Sequence, residues 1–150
     1  MYRALVTGLL FTVACQQNAA APHSPPAEAA TAAPAAPSVD GPSSIKIDPL
    51  TLSTTPADIE KGKQIFTAKG CPACHKTDES KLVGPGLKGI TARRSIPWIQ
   101  RMVLNPDLMV KEDPIAKQLL GTHFTPMPAQ GVDPKAELPF LISYLKTLEK

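Results

Sequence analysis

The sequence has 150 residues, with 16 Lys and Arg against 13 Asp and Glu, which gives a formal net charge of +3. Residues 16–44 are dominated by Ala, Pro and Ser, so the charged and bulky side chains concentrate in residues 50–150. Over those residues 14 basic side chains minus 10 acidic ones leave +4. This balance is too mild to indicate nucleic-acid binding, and we expect no nucleic-acid partner.

The first 14 residues have the pattern of a secretory signal peptide. Arg3 precedes an apolar run from Ala4 to Val13, and Ala14 follows just before Cys15. The run is roughly half of the ~20 apolar residues that a transmembrane helix needs. We therefore predict that the chain is exported rather than anchored by a membrane-spanning helix.

The segment Thr12-Val13-Ala14-Cys15 resembles the lipobox of bacterial lipoproteins, although that family prefers Leu where Thr12 stands. The resemblance implies cleavage before Cys15, lipid on its sulfur and, because Gln16 is not Asp, sorting to the outer membrane. Ordinary signal cleavage nearby is the alternative. We predict a flexible Ala/Pro-rich tether over residues 15–49, since such a composition has too little apolar bulk to offset its ordering entropy.

Residues 50–150 are predicted to form an all-α domain, because apolar residues recur at spacings of three and four and no run alternates polar with apolar. In the first helix, Thr55 can cap and Pro56 suits the first position. The last helix is expected to bury the face formed by Leu138, Leu141, Ile142, Leu145 and Leu148. The four predicted helical segments run from Thr55 to Gly70, from Ser95 to about Leu104, from Asp113 to Leu120 with Gly121 as the stop, and from Asp133 onward.

Cys71-Pro72-Ala73-Cys74-His75 follows the first helix directly and matches C-x-x-C-H, the pattern that attaches haem in c-type proteins. One turn of backbone brings both sulfurs to one edge of the porphyrin, and the adjacent His reaches the iron. A zinc knuckle would need further ligands, for which only His123 remains. A thioredoxin-like pair would need a βαβ setting, which the sequence lacks. We predict one haem c on Cys71 and Cys74, with His75 as an iron ligand.

Residues 55–150 resemble the class I cytochromes c beyond the haem motif. In that family a small residue and an aromatic on the first helix cross an aromatic on the last, and here Gly62, Phe66 and Tyr144 match. Leu82-Val83-Gly84-Pro85-Gly86-Leu87 matches the family's G-P-x-L segment. The resemblance implies a cytochrome c fold of four helical segments around one haem, with the Pro85 carbonyl accepting a hydrogen bond from the free ring nitrogen of His75.

Thr125-Pro126-Met127-Pro128-Ala129 resembles the family's loop for the sixth iron ligand, and we predict Met127 in that role. Among the alternatives, Met102 is interpreted as helix core, Met109 lacks a comparable loop, and His123 is the next candidate.

Trp98 resembles the haem-lining aromatic of related cytochromes, with its indole N–H available to a haem propionate, and a plain core Trp is the alternative. Arg93 and Arg94 are further candidates to neutralise the propionates, or lie on a solvated surface.

These residues predict a periplasmic electron-transfer protein that is not an enzyme and has no small-molecule substrate. Redox proteins with acidic docking surfaces are the expected partners. The first alternative is a haem enzyme or gas sensor with an open sixth site, and the second is a lipoprotein that binds a non-haem metal. Near the expected haem edge, basic side chains outnumber the two acidic ones, Asp78 and Glu79. The basic residues are Lys76, Lys81, Lys88, Arg93, Arg94 and Arg101.

Overall fold

A computed structural model of the chain describes residues 40–149. The predicted signal peptide, the predicted lipidation site at Cys15 and most of the predicted tether lie outside the described residues. Within them all regular structure is helical, as predicted, and no helix is long and apolar enough to cross a bilayer. The α-helices are α1 (Pro56–Ala68), α2 (Ile90–Arg93), α3 (Ile96–Leu104), α4 (Pro106–Glu112), α5 (Pro114–His123) and α6 (Leu138–Lys146), and 3₁₀ turns span Cys71–Ala73 and Thr147–Glu149.

Helix α1 begins and ends where the sequence predicts. The Thr55 hydroxyl accepts a hydrogen bond from the Asp58 backbone N–H at 3.3 Å, which satisfies one of the donors left unpaired at a helix start. Gly70 follows the helix with φ of 74°, a left-handed conformation that favours glycine. This turn leads the chain directly into Cys71.

The middle of the domain holds more helix than predicted. Asn105-Pro106 ends α3 as expected, but Pro106 also occupies the first position of α4, where its missing N–H costs nothing. Helix α5 runs through Gly121 to His123, so the predicted stop at Gly121 is wrong. The helix ends instead at Phe124, which adopts a left-handed backbone with φ of 56°.

Helix α6 begins at Leu138 rather than near Asp133, so the predicted start is wrong by about one turn. The Asp133 carboxylate accepts from the N–H groups of Lys135 and Ala136, which makes a separate turn. Pro139 has no N–H to continue this turn into the helix. The predicted buried face is confirmed for Leu138, Leu141, Ile142 and Leu145, whereas Leu148 is partly buried.

Helices α1 and α6 cross at Gly62, as predicted. A Cβ atom on Gly62 would lie 2.7 Å from the Phe140 carbonyl carbon and 2.8 Å from Tyr144 Cβ. The rings of Phe66 and Tyr144 pack beside this contact with centroids 5.5 Å apart and planes at 56°. The missing side chain at Gly62 thus lets the two backbones touch, which brings the end of α1 against the core.

Residues 40–49 pack on the domain although the sequence predicted a tether as far as residue 49. Ile45 is 3 % exposed and belongs to the core. Arg101 donates to the Ile45 carbonyl at 3.1 Å, and Gln100 donates to the Asp48 carbonyl at 2.9 Å. Ile45 supplies the apolar bulk that the preceding Ala/Pro-rich sequence lacks, so the packed domain extends to an earlier residue than predicted.

Candidate cofactor site

A cavity of about 420 Å³ lies in the interior of the domain and is lined mainly by apolar side chains. Residues from the turn after α1, the following loop, helices α3, α5 and α6, and the loop before α6 contribute to its wall. All six site residues predicted from the sequence line this one cavity: Cys71, Cys74, His75, Pro85, Trp98 and Met127. The fold therefore collects groups that are far apart along the chain.

Cys71 begins the 3₁₀ turn and Cys74 follows its last residue, and the backbone N–H groups of Cys74 and His75 both donate to the Cys71 carbonyl. Burial raises the pKa of the Cys71 thiol. In the described range, no three His, Cys, Asp or Glu side chains cluster as a metal site would need.

The His75 ring is held by the hydrogen bond that the family resemblance implies, because its Nδ1 lies 2.9 Å from the Pro85 carbonyl oxygen. With Nδ1–H as the donor, Nε2 keeps its lone pair for a metal. The loop that carries Pro85 is fixed in turn, since the Gly84 N–H donates to the Cys74 carbonyl at 2.8 Å. Pro85 thus fixes the orientation of the His75 imidazole and leaves Nε2 available to bind iron.

Sequence reasoning missed a packing role for Gly84. A Cβ atom there would lie 2.6 Å from Cε1 and 2.9 Å from Nδ1 of His75, so the imidazole rests directly on the glycine. The only sequence signal was the Gly-Pro pair, which indicates a turn but not a contact with a ring.

Replacing Gly84 with Ala is expected to push the His75 ring away from Pro85. We expect a stability loss of about 1–3 kcal/mol, typical of overpacking, and a weakened hydrogen bond at Nδ1. Thermal unfolding and the NMR signal of the Nδ1 proton measure these effects in the holoprotein. Pro85→Ala is the matched control, because it keeps the accepting carbonyl. An unchanged Nδ1 signal and stability in Gly84→Ala would contradict the packing argument.

Met127 and two of its competitors for the sixth position reach the same cavity. Met102 and His123 both line its wall, whereas Met109 is fully buried in the core away from that wall. His123 Nδ1 lies 3.2 Å from the Val83 carbonyl oxygen, which ties the end of α5 to the loop before Gly84. The choice of Met127 from the sequence remains a prediction.

Trp98 is 3 % exposed and lines the cavity, but its N–H makes a different bond from the one expected. The indole Nε1–H donates to Asp113 Oδ1 at 3.2 Å, because Asp113, the cap of α5, places a buried carboxylate beside α3. The expected bond to a haem propionate stays a prediction. The sequence placed Asp113 at the start of a helical segment but did not indicate its partner across the fold.

Arg93 and Arg94 bring positive charge to the otherwise apolar wall. The Arg93 guanidinium donates to the carbonyls of Gly86, at 2.8 Å, and Lys88. The Arg94 guanidinium lies 5.4 Å from the centre of the Trp98 ring, and burial is the main cause that lowers its pKa. The lining fits a covalently bound haem, since it combines paired thiols, an oriented imidazole, a thioether, apolar walls and cations that suit propionates.

Comparisons with known proteins support the haem site that this lining indicates. A sequence profile of the family described as "Cytochrome c" matches residues 59–149. A cytochrome c-553-like protein of Synechocystis sp. is 31 % identical over 91 residues, which cover 61 % of this chain and 70 % of that protein. Cytochrome c-551 of Azotobacter vinelandii is 50 % identical over 34 residues, which cover 23 % of this chain and 40 % of that protein.

Solved structures show the same similarity over a longer stretch. Cytochrome c from Rhodothermus marinus superposes with a TM-score of 0.62 at 30 % identity, and the match covers 73 % of this chain and 90 % of that one. An engineered form of that protein, bound to a carbene intermediate, gives a TM-score of 0.59 at 30 % identity with the same coverage.

Proposed function

Because the chain belongs to the cytochrome c family, with the all-α fold of that family and one haem c attached covalently at Cys71 and Cys74, we propose that it carries single electrons with His75 and Met127 as axial iron ligands. Members of this family are usually electron carriers rather than enzymes, and bacterial c-type cytochromes lie outside the cytoplasm. Redox proteins are the partners that such a role implies.

One observation carries the proposal: His75 and Met127 line a single apolar cavity in which the His75 imidazole is already oriented by the Pro85 carbonyl. When bound, the haem supplies an iron that changes between ferric and ferrous states. The thioethers at Cys71 and Cys74 keep the group in place, and the apolar wall limits the access of water. A soft thioether ligand at Met127 favours ferrous iron and so raises the reduction potential.

The first experiment is the visible absorption spectrum of the full-length holoprotein, oxidised and reduced, with carbon monoxide added to the reduced form. Sharp c-type bands, the weak sulfur-to-ferric-iron band at the red edge and no response to carbon monoxide are expected for His75/Met127 ligation. A clear shift with carbon monoxide would overturn closed ligation.

A second candidate function, small-molecule chemistry at an open sixth site, is motivated by the engineered Rhodothermus marinus cytochrome c that holds a carbene intermediate. In this chain the same carbon monoxide shift would favour that function.

For partner docking we propose a face formed by Leu82, Val83 and Phe124 with Lys81. These three apolar side chains are 44 %, 39 % and 85 % exposed. Lys81 donates to the Thr122 carbonyl at 3.2 Å, and this contact joins the Leu82–Val83 loop to the end of α5. An apolar patch beside a lysine suits a redox partner with an acidic rim around an apolar centre. Val83 also lines the cavity, so this face lies at the cofactor.

Two further basic residues near the expected haem edge also make contacts within the domain, as Lys81 does. Lys88 forms an ion pair with Glu79 at 2.9 Å, and Arg101 holds the backbone at Asp40 and Ile45. Their charge still adds to the local field, but their side chains are engaged in intramolecular contacts.

Phe124→Gly is expected to stabilise the protein while it weakens docking. Glycine relieves the left-handed backbone at the end of α5, a gain of about 1 kcal/mol, and the lost ring was 85 % exposed. Thermal unfolding measures the first effect. The second is measured as the electron-transfer rate at an electrode coated with a mixed carboxylate- and methyl-terminated monolayer, where we expect a severalfold decrease.

Gly121→Ala, on the helix that ends at Phe124, is the control, because its added Cβ would contact no other part of the protein within 4 Å and it leaves the apolar face intact. Equal electrode rates for the two variants would argue against Phe124 as a docking residue.

We further propose that the chain reaches the periplasm through a signal peptide at residues 1–14 and is held at a membrane, by preference the outer one, through lipid on Cys15. The resemblance of residues 12–15 to a lipobox supports this. The mass of the mature N-terminus tests it, since a free thiol at Cys15 would refute the lipid anchor.

A further inference from the structure

Asp113 is a buried residue whose carboxylate lies behind the wall of the cofactor cavity. It is 1 % exposed, and its Oδ1 accepts from Trp98 Nε1 at 3.2 Å and from the Ala116 backbone N–H at 2.8 Å. Both Trp98 and Ala116 line the cavity, whereas Asp113 stands behind them. The Asp113 carboxylate is therefore separated from the cavity by the side chains that line it.

Among the described residues, none forms an ion pair with Asp113 within 4.0 Å. Over residues 40–149 only two pairs form within 4.0 Å, Lys69 with Glu137 and Lys88 with Glu79. The helix-capping role by itself is met as well by a neutral Asn or Ser. The contacts with Trp98 and Ala116 therefore need an accepting oxygen, which a neutral side chain could also supply.

We propose that Asp113 lowers the reduction potential of the haem, acting through space as a fixed negative charge behind Trp98. This rests on the proposed electron-transfer function. Reduction adds one negative charge to the cofactor, and a buried anion nearby disfavours that addition because the interior screens charge poorly.

Arg94 supplies a positive charge that opposes the negative charge of Asp113. Its guanidinium lies over the Trp98 ring and lines the cavity, and Asp113 is the one neighbour that opposes the lowering of the Arg94 pKa by burial. The cation, the indole ring and the carboxylate thus form one electrostatic unit at the cavity wall.

Asp113→Asn tests the proposal in the full-length holoprotein by a spectroelectrochemical titration. Asn keeps an accepting oxygen for Trp98 and Ala116 and removes only the charge. We expect the equilibrium constant for reduction to rise about fivefold, which is a positive shift of ~40 mV at about 59 mV per tenfold for one electron. The matched control is Asp107→Asn in the first turn of α4, an exposed carboxylate that solvent and salt screen.

A shift in Asp113→Asn no larger than that of Asp107→Asn, or in the negative direction, would overturn the proposal. Asp113→Ser, which also keeps a capping oxygen, provides a second variant that must shift the potential in the same positive direction if Asn is not tolerated. Failure of the electron-transfer proposal itself looks different, because the unmodified protein would then show no reversible one-electron titration.

Discussion

Replacing Met127 with Leu is expected to open the sixth position of the iron. Leu has a similar volume and apolar character but no sulfur, so packing is largely kept while the ligand is lost. We expect loss of the red-edge sulfur-to-iron band, binding of carbon monoxide to the reduced form and a fall in the equilibrium constant for reduction by at least about tenfold. Optical spectra and a redox titration of the holoprotein record all three.

Met102→Leu is the matched control, because Met102 lines the same cavity from α3. It should leave the band and the closed site intact. If the two variants exchanged behaviour, Met102 would be the ligand. If Met127→Leu remained insensitive to carbon monoxide, His123 would be the first residue to examine, since it also lies on the cavity wall.

Replacing Gly62 with Ala is expected to force α1 and α6 apart. The added Cβ would lie 2.7 Å from the Phe140 carbonyl carbon and 2.8 Å from Tyr144 Cβ. Backbone atoms cannot move aside as a flexible side chain can. We expect the free energy of unfolding to fall by about 3 kcal/mol or more, which corresponds to a fall in melting temperature of roughly 10–20 °C for a domain of this size.

Gly121→Ala again serves as the control, because its Cβ would meet nothing within 4 Å and alanine favours the helix by up to about 1 kcal/mol. A melting temperature for Gly62→Ala close to that of the unmodified protein would mean that the helix crossing adjusts more easily than its backbone contacts indicate.

The sequence predicts best the features that are encoded locally. The cap at Thr55, the turn at Gly70 and the attachment pair Cys71 and Cys74 each depend on neighbours within a few residues, so their signals are complete in the sequence. The crossing at Gly62 is a long-range contact, and only the resemblance to a family made it predictable. Gly121 was misinterpreted because a single glycine is a weak stop when the helix can continue to a left-handed residue at Phe124.

Contacts between distant segments could not be predicted in this way. The Trp98 N–H has several conceivable acceptors, and nothing in the spacing of residues 98 and 113 indicates that Asp113 is the one. Ile45 presents a similar case, because its burial depends on the surface that α3 offers rather than on the sequence around it. Such pairings require the three-dimensional arrangement of the helices.

The contact between α1 and α6 has a consequence for the order of synthesis and folding. Gly62 and Phe140 touch across most of the domain, so the loop between them must close before either helix finds its partner. Helix α1 is therefore synthesised first but cannot pack until α6 is present. Contacts between residues this distant in sequence slow folding. The haem-attachment residues lie inside that loop, so they are synthesised and accessible before the domain can close around them.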